Sequence, residues 1–439
     1  MLEEFSWPWV ETQVAQTVDI WRDCAAQPLP PGPDYDPLDH QIREKASDDG
    51  QRAVERELKR APRNKAERLA TQDKVTASFA RFAGTALDLE PAAIELISND
   101  FVPAGTELAR WARNFDPSLT QSDITQACRN AWTACGLQLL LGERAVLTPS
   151  VLGYSLLYPY TDNHLDRRDI TAEAKIQFST RVRDRLRGHQ STPHSSALNG
   201  RETATWALVE LIEGQYPRSS YPQVFDCLLA IHRAQEESLM QLRSEALHPA
   251  EILRITFAKG GTSVLADACF ARGWLDEKES RFAFDWGVLL QLGDDLQDVR
   301  DDLQRGSVTL FTRAIALGLP LDNLVTQLLN FSEQVGAAMD ALPTGTPTLK
   351  NLMRMSWRSL IIGAVANASD FFSPAFLRKA ESRSPFRFDF LRKRQKRLTA
   401  RRGLYQILFD AFLEIRPAAP PGTGEIARLA PATGACLFQ

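Results

Sequence analysis

Residues 291–311, QLGDDLQDVRDDLQRGSVTLF, decide the reading of the fold. They hold five aspartates within nine residues, Asp294, Asp295, Asp298, Asp301 and Asp302, in a run that otherwise has the pattern of a buried helix. At about 100° per residue, Asp294, Asp298 and Asp301 fall on one stripe of an α-helix, with Asp302 beside it. Leu289, Leu292, Leu296, Val299 and Leu303 fall on the opposite stripe, at the spacing of a core-facing seam. Like charges one turn apart repel by about 0.2–0.5 kcal/mol per pair, and only Arg300 and Arg305 offset them. A solvated face would stay polar along its length. This one turns apolar a helical turn earlier, at Leu290 and Gly287 with Trp286 nearby, as a pocket wall with carboxylates at its rim would.

Residues 151–169, VLGYSLLYPYTDNHLDRRD, repeat the pattern: Asp162, Asp166 and Asp169 share a stripe whose earlier turns are Tyr158, Ser155 and Val151. Two acidic helix ends above apolar floors can face one another when divalent cations sit between them. Oxygen-only ligands suit Mg²⁺, which in turn binds substrate phosphates.

Composition bounds the alternatives. The chain has 439 residues, 44% of them hydrophobic and 24% charged, as an ordinary globular protein does. A net charge of −4 argues against a general nucleic-acid binder, and none is expected as a partner. No run of about 18 apolar residues could span a membrane, which leaves room only for peripheral contact with one. The N-terminus has neither the basic nor the apolar region of a secretory signal. Six cysteines, at 24, 128, 135, 227, 269 and 436, form no CxxC and fit reduced thiols in a cytoplasmic protein. The terminal Cys436-Leu-Phe-Gln has the form of a prenylation box.

No strand-like alternation is sustained, so the expected fold is all-α, one large helical domain. Residues 1–74 read as a charge-rich helical extension, with 40–74 a solvated helix pair. Residues 75–415 read as the main domain, and the Pro, Ala and Gly-rich 416–439 as a disordered tail. Asp123 is placed as the N-cap of a helix ending at Gly142. Further helices are expected at 201–213, 221–242, 249–272, 276–304, 307–317, 320–340 and 346–371. The polar loop 188–200 is the candidate lid. Gly260-Gly261 inside a helix implies a kink or a close approach, since each glycine costs about 1 kcal/mol there. Lys259 beside the pair, Arg305 at the probable-cap Gly306, and Arg167 after the first acidic cluster are the candidate anion partners. The segment 378–402 carries eleven Lys or Arg against two acids, interleaved with Phe386, Phe388 and Phe390. A solvated face is its first reading, before an anionic-substrate clamp, a membrane surface or nucleic acid.

These residues resemble the class I isoprenoid synthase superfamily, α-helical bundles around an apolar cavity in which two acidic helices hold Mg²⁺ against a substrate diphosphate. Asp162-Asn-His-Leu-Asp166-Arg is similar to the first motif of large bacterial terpene synthases related to tetraprenyl-β-curcumene synthase. Asp298-Val-Arg-Asp-Asp302-Leu-Gln-Arg-Gly resembles the second motif of squalene and phytoene synthases, and the run from Gln291 to Asp298 that of chain-elongating prenyl synthases. The full DDxxD and downstream RRG of elongating enzymes are absent, as is the NSE triad of microbial sesquiterpene cyclases.

The resemblance implies a terpene synthase that ionises an allylic isoprenyl diphosphate and ends in cyclisation or elimination. By it, Asp162, Asp166, Asp294, Asp295, Asp298 and Asp302 would ligate Mg²⁺, with Asp162, Asp166, Asp298 and Asp302 central to catalysis. Lys259, Arg305 and Arg167 would meet the diphosphate, and Tyr158, Tyr154 and Trp286 would line the carbocation's wall. The alternatives are a prenyl transferase, a non-catalytic helical scaffold, and nucleic-acid binding through 378–402. Substrate length, product and oligomeric state are not legible.

Overall fold

The computed structural model describes residues 6–25, 27–60, 64–167, 170–189, 199–242 and 247–401. Among these the secondary structure is entirely helical, so the protein is all-α. The chain opens with α1 (Trp7–Ala25), α2 (Pro37–Lys59), α3 (Lys65–Ala86), α4 (Pro91–Leu96), α5 (Val102–Phe115) and α6 (Gln121–Leu140). It continues through α7 (Pro149–Asp166), α8 (Ala172–Leu186), α9 (Asn199–Gln215), α10 (Pro222–Ser238), α11 (Pro249–Arg272) and α12 (Glu277–Gln297). The last third comprises α13 (Val299–Arg305), α14 (Leu310–Ala316), α15 (Asp322–Asp340), α16 (Pro347–Asn367), α17 (Pro374–Glu381) and α18 (Phe388–Ala400).

Helix α11 is the centre of the bundle. Its sequence is apolar all round, and from Ile252 to Phe270 most of its side chains are buried, as expected of a helix enclosed by others. A capping box of His248 and Glu251 with Pro249 starts it, and Gly273 at φ 88° ends it in the left-handed conformation. It packs on α12, α10, α6 and α1.

The Gly260-Gly261 pair marks a close approach and not a kink, for α11 runs through it unbroken. A Cβ on Gly287 of α12 would lie 2.1 Å from Gly260 O, and one on Gly260 would lie 2.6 Å from Gly287 O. The two backbones therefore touch at a crossing that only paired glycines permit, and Lys259 stands at its edge.

Three local expectations are corrected. Thr120, not Asp123, is the N-cap of α6; Asp123 is the third helical residue, closing a capping box with Thr120. The expected helix 276–304 breaks at Asp298, whose φ −92° and ψ 8° separate α12 from α13. The break resets the helical phase, so Leu303, expected on the core seam, is 37% exposed while Leu289, Leu292, Leu296 and Val299 are buried.

The N-terminal helices join the body. Val10, Val14 and Trp21 of α1 belong to the main apolar cluster. Thr17 Oγ1 donates to the buried Asp285 Oδ1 of α12 (2.6 Å), and Gln327 Nε2 of α15 donates to Trp21 O (2.7 Å). The charged α2 is not a solvated face throughout, because Glu44, Ser47, Glu55 and Leu58 are buried. Its acids meet the basic segment: Arg387 Nε donates to Glu44 Oε1 (2.9 Å), Arg397 to Asp48 (2.9 Å), and Arg401 pairs with Glu55. Phe386 packs with Phe82 and Ala86 of α3, so the aromatic residues of this segment are also packing residues. The expected tail and Cys436 lie outside the described residues, as do positions 190–198 of the expected lid.

Candidate active site

Thr148 caps the N-terminus of α7, with Pro149 at its first turn. Along that helix Tyr154, Tyr158 and Asp162 succeed one another at four-residue intervals, so about 12 Å of one face separates the deepest from the outermost. Tyr154 and Asp162 are buried, and Tyr154 donates a hydrogen bond to Ser263 O of α11 (3.0 Å). Lys259, also on α11, brings Nζ to 3.5 Å from Asp162 Oδ1.

The second acidic helix faces this pair. Burial pushes the Asp294 carboxyl up, the Asp298 and Asp162 charges push it the same way, and Arg129 and Lys259 oppose them. Asp162 and Asp294, 132 positions apart in sequence, thus act on each other across Lys259. Asp295 lies deeper. Burial raises it to about 7 against a hydrogen bond from Gln291 Nε2 (2.8 Å), with Asp294 and Asp302 adding to the rise. Asp302, on α13, is raised to about 6 by burial and then by Asp298, while Arg305 opposes. Asp298 at the helix break is raised by burial and by Asp301. On the other wall, burial and the neighbouring Asp162 carboxylate drive the Tyr158 hydroxyl far above its ordinary range. Four acids with raised pKa lie near Lys259, Arg129 and Arg305, so burial and mutual repulsion outweigh the nearby cations.

The structure brings together Asp162, Asp294, Asp295, Asp298, Asp302, Lys259 and Tyr158, with Tyr154 on the wall below. Arg305 sits at the rim, 3.8 Å from the exposed Asp301. Arg167 is exposed at the end of α7, its charge close to Arg201 of α9. Asp166 closes α7, but its side chain lies outside the described residues, as do Arg168 and Asp169. Trp286 does not line the cleft between α7, α8 and α10. It is buried in the core, stacked on Phe282 (centroids 5.8 Å apart) and edge-on to Trp357 of α16 (6.3 Å). Its helix has two apolar faces, and Trp286 is on the one that α16 covers.

Sequence reasoning missed Arg129 of α6, which opposes the rise of both Asp294 and Asp298. No motif signals it, since its facing depends on how α6 packs. Beside Tyr154 and Tyr158, a cleft of about 30 Å³ opens between α7, α8 and α10, lined also by Thr161, Val182, Leu228, Ile231 and His232. That is room for a water molecule or two, whereas small-molecule sites run to about 300 Å³ and more.

A dication fits the donor chemistry. The neighbouring groups that could ligate an ion are carboxylates, the donors a hard ion such as Mg²⁺ takes, and Asp295 Oδ2 is buried with no hydrogen-bond partner. Among the described residues no three acids, histidines or cysteines yet converge at ligand spacing, so the carboxylates would have to draw inward around an ion.

No protein-family model matches the chain, and no curated protein sequence does. Among solved structures it is similar to a decaprenyl diphosphate synthase from Rhodobacter capsulatus, at 13% identity and a TM-score of 0.30, over 66% of this chain and 96% of that one. It is also similar to a polyprenyl synthase from Caulobacter crescentus CB15 complexed with calcium and isoprenyl diphosphate, at 18% identity and a TM-score of 0.29, over 81% and 100%. Likeness this slight carries no functional weight, and the chain's own residues must supply it.

Proposed function

We propose that this protein is a Mg²⁺-dependent class I terpene synthase, which ionises an allylic isoprenyl diphosphate and releases pyrophosphate with a cyclised or eliminated hydrocarbon. The observation that carries the reading is the Lys259–Asp162 pair at 3.5 Å, with the Asp294 carboxyl near enough to feel both charges, at the head of a helix face that descends through Tyr158 to Tyr154. Asp162 and Asp166 from α7, with Asp294, Asp298 and Asp302 from α12 and α13, would hold the metal. Bound there, Mg²⁺ would neutralise charge on the departing diphosphate.

The chain's own residues have separate tasks. Lys259 offers the diphosphate a charged donor at the boundary between the acids and the cleft, with Arg305 and Arg167 nearer solvent. The break at Asp298 lets Asp302 turn toward Asp298 and Asp294 rather than continue the stripe. Below them, the faces of Tyr158 and Tyr154 attract a carbocation by their ring quadrupoles. Phe270, whose ring centroid lies 4.9 Å from that of Tyr154, backs the wall. The apolar side chains of Val182, Leu228 and Ile231 would disfavour the water that would quench the cation.

The test is incubation of the purified protein with Mg²⁺ and allylic diphosphates of increasing length, each alone, reading pyrophosphate and hydrocarbon. Pyrophosphate with a hydrocarbon from one substrate is the expected result. Pyrophosphate that appears only with added isopentenyl diphosphate would replace the reading with prenyl transfer. No pyrophosphate from any substrate, in a folded protein, would leave a non-catalytic helical scaffold.

A further inference from the structure

The cleft has one wall that neither acidic motif explains. His232 of α10 lines it opposite Tyr154 and Tyr158, and the residue is 3% exposed. Its Nε2 lies 3.0 Å from the backbone oxygen of Ser179 on α8 and 3.1 Å from Ser179 Oγ. The Ser179 hydroxyl is itself committed as a donor to Glu236 Oε1, at 2.6 Å. Both oxygens facing Nε2 must therefore accept, and a carbonyl can do nothing else, so Nε2 carries the ring proton. Nδ1 is then the lone-pair nitrogen, and among the described residues it makes no hydrogen bond.

We infer that His232 is the base that ends the reaction, with Nδ1 taking the proton whose loss quenches the carbocation. The inference rests on the proposed terpene-synthase reading and adds a residue to it. In the step, the C–H bond next to the cationic carbon breaks, its electron pair becomes the new carbon–carbon double bond, and the proton passes to Nδ1. The product is a neutral alkene and an imidazolium.

The surroundings suit this cycle. Burial lowers the pKa of His232, so the ring is neutral and basic at rest; Arg183 acts the same way and Glu236 opposes it. Once the ring is charged, Glu236 Oε1, 3.9 Å from Nε2, lies close enough to stabilise it. Arg183 in turn neutralises Glu236 at 3.3 Å, so the acid is shared and does not trap the proton permanently. Ser179, Arg183 and Glu236 are the polar and charged groups packed about the ring from α8 and α10. The proton leaves to the released pyrophosphate or to water as the product departs.

The experiment compares wild type with His232→Gln, measuring pyrophosphate and hydrocarbon in the same reaction. Ionisation should persist in the variant while hydrocarbon per pyrophosphate falls about tenfold or more, the balance appearing as an alcohol from water capture. An unchanged ratio with the same product would overturn the assignment while leaving the terpene-synthase reading intact. A wild type that releases no pyrophosphate would overturn both. A second readout needs no turnover: ¹⁵N NMR of histidine-labelled protein, with His232 assigned by the shift that Ser179→Ala imposes. A neutral ring protonated on Nε2 at pH 7 is expected. An imidazolium or the Nδ1-protonated tautomer would refute the inference even if His232→Gln fails to fold.

Discussion

The glycine crossing of α11 and α12 supports a prediction in which one chemical change has opposite signs at two sites. Gly287→Ala places a methyl group 2.1 Å from Gly260 O and 2.8 Å from Gly260 C. Those are backbone atoms of a buried helix, so no side chain can rotate away, and the helices must part by about 1 Å. Overpacking of this kind costs about 1–3 kcal/mol and more where backbone must move; the better helix propensity of alanine returns about 1 kcal/mol. At the upper end of that range a net loss of about 2 kcal/mol follows, which over 439 residues lowers Tm by about 2 °C. Gly363→Ala is the control, since Gly363 lies inside α16 and nothing stands within 4 Å of its new methyl. There only the propensity gain acts, raising Tm by about 1–2 °C. Differential scanning calorimetry on the two variants decides. If Gly287→Ala melts at or above wild type, the backbones do not touch, and the account of how Lys259 is carried to Asp162 fails with it.

Three further outcomes are expected. Asp162→Ala and Asp298→Ala should each abolish pyrophosphate release while leaving the far-ultraviolet circular dichroism unchanged; turnover retained in both would sink the proposed chemistry. Asp295, raised from 3.8 to about 7, binds its proton more tightly folded than unfolded, so its contribution to stability is present below pH 4 and is lost as pH rises to about 7. The shift corresponds to on the order of 4 kcal/mol. A Tm series from pH 4 to 8 should fall in wild type, flatten in Asp295→Asn, and be partly restored at pH 8 by Mg²⁺; equal slopes without metal would contradict the burial argument. Finally, Arg387→Ala removes the guanidinium from Glu44, whose side chain is 8% exposed and keeps only the backbone N–H of residue 387 at 3.0 Å. Because Arg387 itself is 57% exposed, water can partly replace it, and a loss of about 1–3 kcal/mol in urea unfolding is expected. No loss there would make the pair incidental.

Helical periodicity revealed the fold because burial obeys it locally. Leu289, Leu292, Leu296 and Val299 are core residues for the reason their spacing suggested, and the facing of Asp162 by Asp294 follows from two such stripes. What periodicity could not supply was anything decided by a second helix. Counting phase through Asp298 misplaced Leu303, because a change in two backbone angles there is not written in the aspartates themselves. Trp286 shares a helix with the acids, yet phase tells only which residues share a face, not which neighbour covers it; here α16 does. Gly260-Gly261 carried a real signal, but its meaning depended on Gly287, one helix later. His232 had none, since its proton position is set by an oxygen of Ser179 on another helix.

The basic segment shows the same limit at the longest range. Read alone, eleven cations around three phenylalanines suit a solvated face first and an anionic partner second. In the fold Arg387, Arg397 and Arg401 meet Glu44, Asp48 and Glu55, more than three hundred positions earlier. A cation already paired with a carboxylate must give up that partner before it can serve a phosphate, so each such pair weakens the case for nucleic-acid binding. The partner that these three cations meet is the chain's own α2. The acids at Asp162 and Asp294 differ in this respect: they share the single lysine Lys259 while acting on each other, so an added dication would relieve their repulsion without having to displace a partner from each.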